Sequence, residues 1–222
     1  MRGRGRALLR VVALAAACVA LRPAHGSATL GTQAASQVRV DTLTFWSQSL
    51  GTRKRALVWL PPSYGAATGR RYPSLYYLHG FGGSEIDWTT QGRLDATLDS
   101  MTAAGLPEMI VVMPDGDDGW YTTWNRLPDT AECRRNFSPR PGDADAASYC
   151  VPWPHYDDYI ARDLVTAIDA RYRTEARRAR RGIAGLSMGG YGALSLALRY
   201  PDVFRAAASH SGVVSPTYTG SH

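Results

Sequence analysis

The sequence predicts an α/β fold with a mostly parallel β-sheet that carries helices on both faces. Two continuous apolar runs bounded by proline and glycine, Ser74–Leu78 and residues 109–113, are typical of strands buried on both faces of a parallel sheet. Segments with helical spacing alternate with such runs along the chain. The 222 residues are 45% hydrophobic and 20% charged, which suits one domain with a sizeable core.

Two strands are predicted ahead of the parallel sheet. Residues 38–47 alternate partly between apolar and polar side chains, as a half-buried strand does. Residues 53–60 predict a second strand, which ends at Pro61-Pro62, and residues 49–52 are suited to a hairpin turn between the two. We expect this pair to form an antiparallel edge.

Helices are predicted where apolar residues recur every three or four positions. Leu94, Leu98 and Met101 mark one helix, and Gly105 and Pro107 are its stop signals. A clearer helix has one apolar face, made of Tyr156, Ile160, Leu164, Ile168 and Tyr172. The last predicted elements are a strand at residues 182–185, a helix at 188–200 and a strand at 204–209.

Residues 1–26 predict a secretory signal peptide. Arginines are frequent in the first ten residues, residues 11–21 are apolar, and Ala24-His25-Gly26 offers small residues to a signal peptidase. An 11-residue apolar run is shorter than the roughly 20 residues of a membrane span, and a retained anchor is the alternative. Cys18 lacks the leucine usual three residues before a lipidated cysteine, so lipid anchoring is not expected. The protein is expected to be secreted or held in the cell envelope, with a flexible tail at residues 27–37 before an α/β domain at 38–222.

The charge of the chain does not indicate a nucleic-acid partner. The net charge of +6 and the pI near 9.4 depend largely on the leader. Without the five arginines of residues 1–26, 20 basic side chains stand against 19 acidic ones, a net charge of +1. The basic run at residues 177–181 falls between a predicted helix and a strand, where a solvated connection accounts for it.

Cys133 and Cys150 are the two cysteines that follow the leader. An even pair in a secreted chain predicts one disulfide, and two thiols without clustered histidines do not complete a zinc site, so no metal is expected. The pair lies in residues 115–155, an unusually long connection without periodicity. Because this connection follows a parallel strand, it is expected to overhang the ligand crevice.

Residues 185–189 match the G-x-S-x-G pattern of a nucleophile elbow. In such an elbow a sharp strand-to-helix turn exposes the serine, and side chains at the flanking glycines would collide with neighbouring backbone. A predicted strand precedes the motif and an apolar helix follows it, whereas the alternative is a glycine-rich turn with an idle serine. Ser187 is therefore the predicted nucleophile.

Residues 78–83, Leu-His-Gly-Phe-Gly-Gly, follow a predicted buried strand. A glycine-rich turn there allows a backbone N–H to point at an oxyanion, together with the N–H after the nucleophile. We therefore expect Phe81 and Met188 to form an oxyanion hole through their main-chain N–H groups. A plain tight turn or a phosphate-binding loop is the alternative. No G-x-x-x-x-G-K-[ST] motif supports a nucleotide site, and no cofactor is expected.

The segments LHGFGGSEIDW, VVMPDGDDGWY and IAGLSMGGYGALSLALRYPDVF resemble the esterase D-type α/β-hydrolases. This group includes S-formylglutathione hydrolases, feruloyl and acetylxylan esterases and mycolyltransferases. The resemblance covers residues 38–212 and implies a serine esterase that acts on a carboxylic ester, of a small molecule, carbohydrate or lipid, through an acyl-enzyme. Acyl transfer to a sugar or lipid alcohol is the alternative. It also implies that Trp88, Trp120 and Trp124 lie near the substrate pocket, with loop packing as the alternative for each.

The sequence departs from the family after Ser187. Triads of α/β-hydrolases run serine, acid, histidine along the chain. Of the 35 residues that follow Ser187, Asp202 is the single acid, and His210 and His222 are the only histidines. Asp202 falls in a predicted turn, His222 is terminal, and His210 is a minor candidate at the end of a strand. We expect the triad acid and histidine, with the last strands and helix, to lie outside this chain; an inactive fragment or a non-catalytic protein of the same fold is the alternative.

Overall fold

The computed structural model describes residues 39–123, 129–136, 150–152 and 154–214, which lie within one compact unit, Ser36–His222. The predicted signal peptide and the tail at 27–37 fall outside the described residues. A six-stranded sheet in the order β1-β2-β4-β3-β5-β6 is central. Its strands are β1 (Arg39–Ser47), β2 (Thr52–Leu60), β3 (Ser74–Leu78), β4 (Ile110–Pro114), β5 (Arg181–Leu186) and β6 (Ala206–His210).

The sheet combines an antiparallel edge with a parallel centre, as predicted. β1 and β2 form a hairpin that closes with Ser47 opposite Thr52, and β2 pairs antiparallel with β4. β4, β3, β5 and β6 are parallel to one another. The carboxyl ends of these four strands therefore meet at one edge of the sheet.

The helices follow the predicted order, with additions. They are α1 (Asp87–Thr90), α2 (Leu94–Ala103), α3 (Thr130–Asn136), α4 (Tyr156–Asp158), α5 (Val165–Arg171) and α6 (Met188–Arg199). The helix predicted from the aromatic and aliphatic stripe is α4 and α5 joined by a π-helical segment, Tyr159–Leu164. This segment buries three consecutive residues, Tyr159, Ile160 and Ala161. Among the described residues, no helix has the length and apolar character to cross a membrane.

Apolar side chains fill both faces of the sheet. Alternate residues of β2 point to opposite faces, since Val58 joins the core shared with α5 and α6, and Trp59 joins the core beneath α2. The first core includes Ile168 and Leu196, and the second includes Leu98. Helices thus cover both faces of the sheet, as expected. β6 differs, because all five of its residues are exposed.

Candidate active site

Ser187 lies at the turn between β5 and α6 in a strained conformation. It is the N-cap of α6, with φ 53° and ψ −114°, a region that residues other than glycine rarely adopt. Its N–H donates to the carbonyl of His210 (2.8 Å), and its carbonyl accepts from the N–H of Tyr191 (3.0 Å). The half-buried serine is thus held between the start of α6 and the end of β6.

The two glycines of the motif allow close approach of backbone. A β-carbon on Gly185 would collide with the main chain of Gly189. A β-carbon on Gly189 would collide with the carbonyl oxygens of Leu78 and His79, at the end of β3. The first turn of α6 therefore packs directly on the chain that leaves β3, as a nucleophile elbow requires.

The loop after β3 reaches Ser187. A β-carbon built on Gly80 would lie 3.6 Å from the β-carbon of Ser187. Phe81 follows Gly80 directly, and Met188 is the first residue of α6, where backbone N–H groups lack intrahelical acceptors. The positive end of the helix dipole also favours negative charge there. The residues that carry both predicted oxyanion donors thus meet at one corner of the site.

His79 is a buried residue of the glycine-rich turn predicted at residues 78–83, and the sequence predicts no further role for it. Its side chain is 1% exposed and lies between two loops. Nδ1 is 2.8 Å from the carbonyl oxygen of Gly80, and Nε2 accepts a hydrogen bond from the N–H of Gly116 (2.9 Å). Burial lowers the pKa of His79, so the ring is neutral at pH 7.

A buried ion cluster lies beneath the loop that follows β4. Nζ of Lys54 on β2 contacts Oδ2 of Asp115 (2.8 Å) and Oδ2 of Asp117 (2.7 Å), and Tyr156 also donates to Asp117 (2.7 Å). Burial opposes the charge of Lys54, but the two carboxylates outweigh it and raise the Lys54 pKa. Burial likewise opposes the charge of Asp115, yet Lys54 holds the pKa of Asp115 below its usual value. Burial raises the pKa of Asp117.

Glu85 adds a further buried carboxyl group, in the loop after β3. Its side chain is fully buried and lies 2.5 Å from the guanidinium of Arg55, which is itself partly exposed. Burial, and then the charge of Asp115, raise the pKa of Glu85 to about 7 in spite of Arg55.

Three aromatic side chains lie beside the turn that carries Ser187. The ring of Trp120 lies 6.3 Å from that of Phe81 and 5.8 Å from that of Tyr191, on the first turn of α6. Trp120 and Tyr121 both have positive φ, and the buried Tyr121 hydroxyl donates to the carbonyl of His79 (3.1 Å). Residues 115–123, at the start of the long connection after β4, therefore reach this corner of the sheet, as the sequence predicts; much of the rest of that connection lies outside the described residues.

The other two tryptophans predicted to lie near the pocket are Trp88 and Trp124. Trp88 in α1 packs on Tyr77, with ring centroids 4.2 Å apart, among the side chains of the α2 core. This contact corresponds to the loop-packing alternative, and a role for Trp88 in substrate binding stays a prediction. Trp124 lies outside the described residues.

The described residues do not bring a base to the side chain of Ser187. No histidine or carboxylate among them forms a hydrogen bond with the Ser187 hydroxyl. His210 is adjacent, but its Nε2 is 3.0 Å from the hydroxyl of Tyr77. Asp202 precedes β6 and so lies at the amino end of that strand, opposite to Ser187. His222 falls outside the described residues.

One group of possible metal ligands occurs at the start of α4. His155, Asp157 and Asp158 have ligand atoms within 4.8 Å of one another. Both carboxylates already face guanidinium groups, Asp157 that of Arg199 (2.9 Å) and Asp158 that of Arg162 (2.7 Å). These positive charges disfavour a bound cation, and we assign no metal to the group.

The predicted disulfide is confirmed. Cys133, in α3, is bonded to Cys150, and their Cα atoms are 5.7 Å apart. Cys150 is buried beside Val151, a member of the core between the sheet and α5. The bond therefore ties α3 to the segment that enters α4.

The strand order, the strained serine after β5 and the glycine-rich loop after β3 define an α/β-hydrolase. The sequence matches the Esterase family over residues 47–219, and the chain belongs to this family. The resemblance noted from the motifs is confirmed by this match.

Relatives of known name agree with the family. The chain is 31% identical over 169 residues to an endo-1,4-beta-xylanase/feruloyl esterase of Xylanibacter ruminicola, a match that covers 74% of this chain and 20% of the relative. It is 35% identical over 175 residues to an esterase of Mycobacterium tuberculosis, covering 77% of this chain and 32% of the relative. The chain thus spans between a fifth and a third of the length of these relatives.

Solved structures share the fold. A ferulic acid esterase superposes with a TM-score of 0.63 at 29% identity, over 81% of this chain and 62% of that chain. An S-formylglutathione hydrolase of Staphylococcus aureus superposes with a TM-score of 0.56 at 20% identity, over 79% and 58%. The second likeness establishes the α/β-hydrolase fold alone.

Proposed function

We propose that this chain carries the nucleophile and oxyanion hole of a serine carboxylic-ester hydrolase. The observation that supports this most is the strained turn at Ser187, against which the loop at Gly80 packs. Ser187 Oγ attacks the ester carbonyl, and the N–H groups of Phe81 and Met188 stabilise the resulting oxyanion. Collapse of the tetrahedral intermediate expels the alcohol and leaves an acyl-enzyme, which water then hydrolyses. A histidine and an acid beyond the described residues would act as the base and its orienting group.

The substrate is proposed to be an ester of an aromatic acid. Phe81, Trp120 and Tyr191 present rings beside the nucleophile, and planar acyl groups stack well on such surfaces. Two of the relatives are named as a feruloyl esterase and a ferulic acid esterase, which agrees with this choice.

Secretion forms part of the same proposal. Residues 1–26 have the pattern of a signal peptide, and the Cys133–Cys150 disulfide suits an oxidising compartment. Mass spectrometry of the protein purified from a secreting host tests it: the mature chain is expected to begin at Ser27 with the disulfide formed. A retained N-terminus would contradict the predicted cleavage.

Burst kinetics test the nucleophile. The assay requires the complete protein, which includes the proposed histidine and acid. With a nitrophenyl ester, this protein is expected to release one equivalent of nitrophenol rapidly, and Ser187→Ala is expected to lower turnover roughly 10⁴- to 10⁶-fold. Ser195→Ala, on the same helix, is the matched control and is expected to retain the burst. Unchanged turnover in Ser187→Ala would overturn the proposal.

Acyl transfer shares the same acyl-enzyme and differs only in the acceptor. Adding a sugar as the acceptor to the burst assay separates the two activities. A hydrolase is expected to yield free acid at the same rate with and without the sugar. A transacylase would form the sugar ester at the expense of the acid.

A further inference from the structure

We propose that His79 is a positioning residue of the oxyanion hole, whose neutral ring fixes the peptide between Gly80 and Phe81. The inference rests on the proposed function, since it assigns a purpose to the Phe81 N–H. His79 itself does not contact the reacting atoms in this scheme. It acts through the orientation of one peptide group.

The carbonyl of that peptide is held by two donors. The Gly80 oxygen lies 2.8 Å from Nδ1 of His79 and accepts the N–H of Gly83 at 3.1 Å. In a planar trans peptide the C=O and the N–H point in opposite directions. Holding the Gly80 oxygen therefore fixes the direction of the Phe81 N–H.

The opposite side of the ring is held as well. Nε2 of His79 accepts the N–H of Gly116 (2.9 Å) in the loop after β4. A neutral imidazole has one donor and one acceptor nitrogen, so this bond assigns the proton to Nδ1, where Gly80 needs a donor. The Tyr121 hydroxyl also donates to the His79 carbonyl (3.1 Å), which ties the residue to the same loop.

The charged groups around the ring are compatible with its neutral form. Oδ1 of Asp115 lies 4.0 Å from Nε2, and Asp87 and Lys54 also act on the ring electrostatically. The two carboxylates favour a proton and Lys54 opposes it, but burial dominates and lowers the pKa of His79. Protonation of Nε2 would replace the acceptor of the Gly116 N–H by a second donor.

An oxyanion donor lowers the barrier only when it is aimed before the reaction begins. Removing one such donor costs about 100- to 1,000-fold in kcat, and misaligning it is expected to cost less. The effect falls on kcat, because the N–H is used most strongly in the transition state. A residue that only stabilised the fold would leave kcat per folded molecule unchanged.

Two conservative variants separate positioning from folding. The side-chain NH2 of asparagine lies near the place of Nδ1, so His79→Asn keeps a donor to Gly80. The side-chain oxygen of glutamine reaches the place of Nε2, so His79→Gln keeps the acceptor for Gly116 and loses the donor. On full-length protein with a nitrophenyl ester, we expect His79→Gln to lower kcat about 10- to 100-fold, with KM within about 3-fold, and His79→Asn to stay within about 5-fold of wild type.

Tyr72→Phe is the control for loss of a buried hydrogen bond. The Tyr72 hydroxyl lies 2.7 Å from Ser63 Oγ, at the opposite edge of the sheet, and its loss is expected to leave kcat unchanged. Equal kcat in the Asn and Gln variants, or a greater loss in Asn, would overturn the inference. Absence of a burst in the wild type, or its persistence in Ser187→Ala, would instead overturn the proposed function, so the two failures are distinguishable.

Discussion

Ser187 and His79 illustrate how single residues are held in unfavourable states at this site. A non-glycine residue at φ 53° is destabilised by about 1–3 kcal/mol, and the hydrogen bond to His210 and the packing of α6 on β3 hold it there. His79 is kept neutral in a pocket that excludes water. Hydrogen bonds with the surrounding backbone hold the main-chain conformation of Ser187 and the ring of His79 in place. Such fixed geometry before the reaction is the condition for preorganisation.

Glu85 gives a pH dependence that can be measured. Its pKa of about 7 in the folded protein exceeds the ordinary value of 4.5, so the native state binds more protons than the unfolded state between these pH values. The contribution of this group to stability is therefore fully present below pH 4.5 and lost as pH rises through 7. At pH 8 we expect Glu85→Gln to unfold at a higher urea concentration than wild type, with a free energy of unfolding larger by up to about 3 kcal/mol. Near pH 4 the two proteins are expected to have the same free energy of unfolding.

Urea titrations at pH 4, 6 and 8, followed by circular dichroism, check this expectation. Glu132→Gln removes an exposed carboxylate of α3 and serves as the control for loss of a surface charge. A Glu85→Gln protein that retained the wild-type slope would show that the carboxyl group is ionised at neutral pH in the fold.

Between elements, the buried Lys54 joins β2 to the loop after β4, and Tyr156 brings α4 into the same cluster. Lys54→Met would leave the carboxyl groups of Asp115 and Asp117 buried without their cation. Breaking a buried ion pair in this way costs about 3–5 kcal/mol. We expect the free energy of unfolding in urea at pH 7 to fall by that amount.

Arg53→Met provides the comparison for Lys54→Met, since Arg53 is the exposed preceding residue of β2. Its replacement is expected to change the unfolding free energy by less than about 0.5 kcal/mol. Equal effects of the two substitutions would mean that the lysine cluster does not hold the elements together.

The sequence predicted the elements well because their signals are local. β3 matches its apolar run, and α6 begins at the predicted Met188. Lys54 lies in a run of three basic residues, which gives no local sign of burial. Its partners are 61 and 63 residues away and are defined only when β2 pairs with β4. His79 was overlooked for the same reason, because the N–H that it accepts belongs to Gly116.

Across the whole molecule, the position of the site follows from the order of the strands. β3 lies between β4 and β5 in the sheet. From β3 the chain passes through α1 and α2 to β4, which is the neighbour on one side, and only later reaches β5, which is the neighbour on the other side. The loop after β3 leads to α2 on one face of the sheet, and the turn after β5 leads to α6 on the other face. In open α/β sheets, ligands bind where neighbouring connections diverge in this way. Gly80 and Ser187 lie in contact at this point.

The disulfide acts on the whole chain through its unfolded state. Cys133 and Cys150 are 17 positions apart, and closing a loop of this size restricts the unfolded chain enough to stabilise the fold by about 3 kcal/mol. We expect the double variant Cys133→Ala/Cys150→Ala to lose about that free energy of unfolding in urea. It is expected to retain the Ser187 burst at 25 °C, because in the described part of the chain neither Ser187 nor Gly80 contacts either cysteine. An unchanged urea midpoint would mean that the unfolded chain is already constrained, whereas a lost burst in folded protein would mean that the bond also shapes the site.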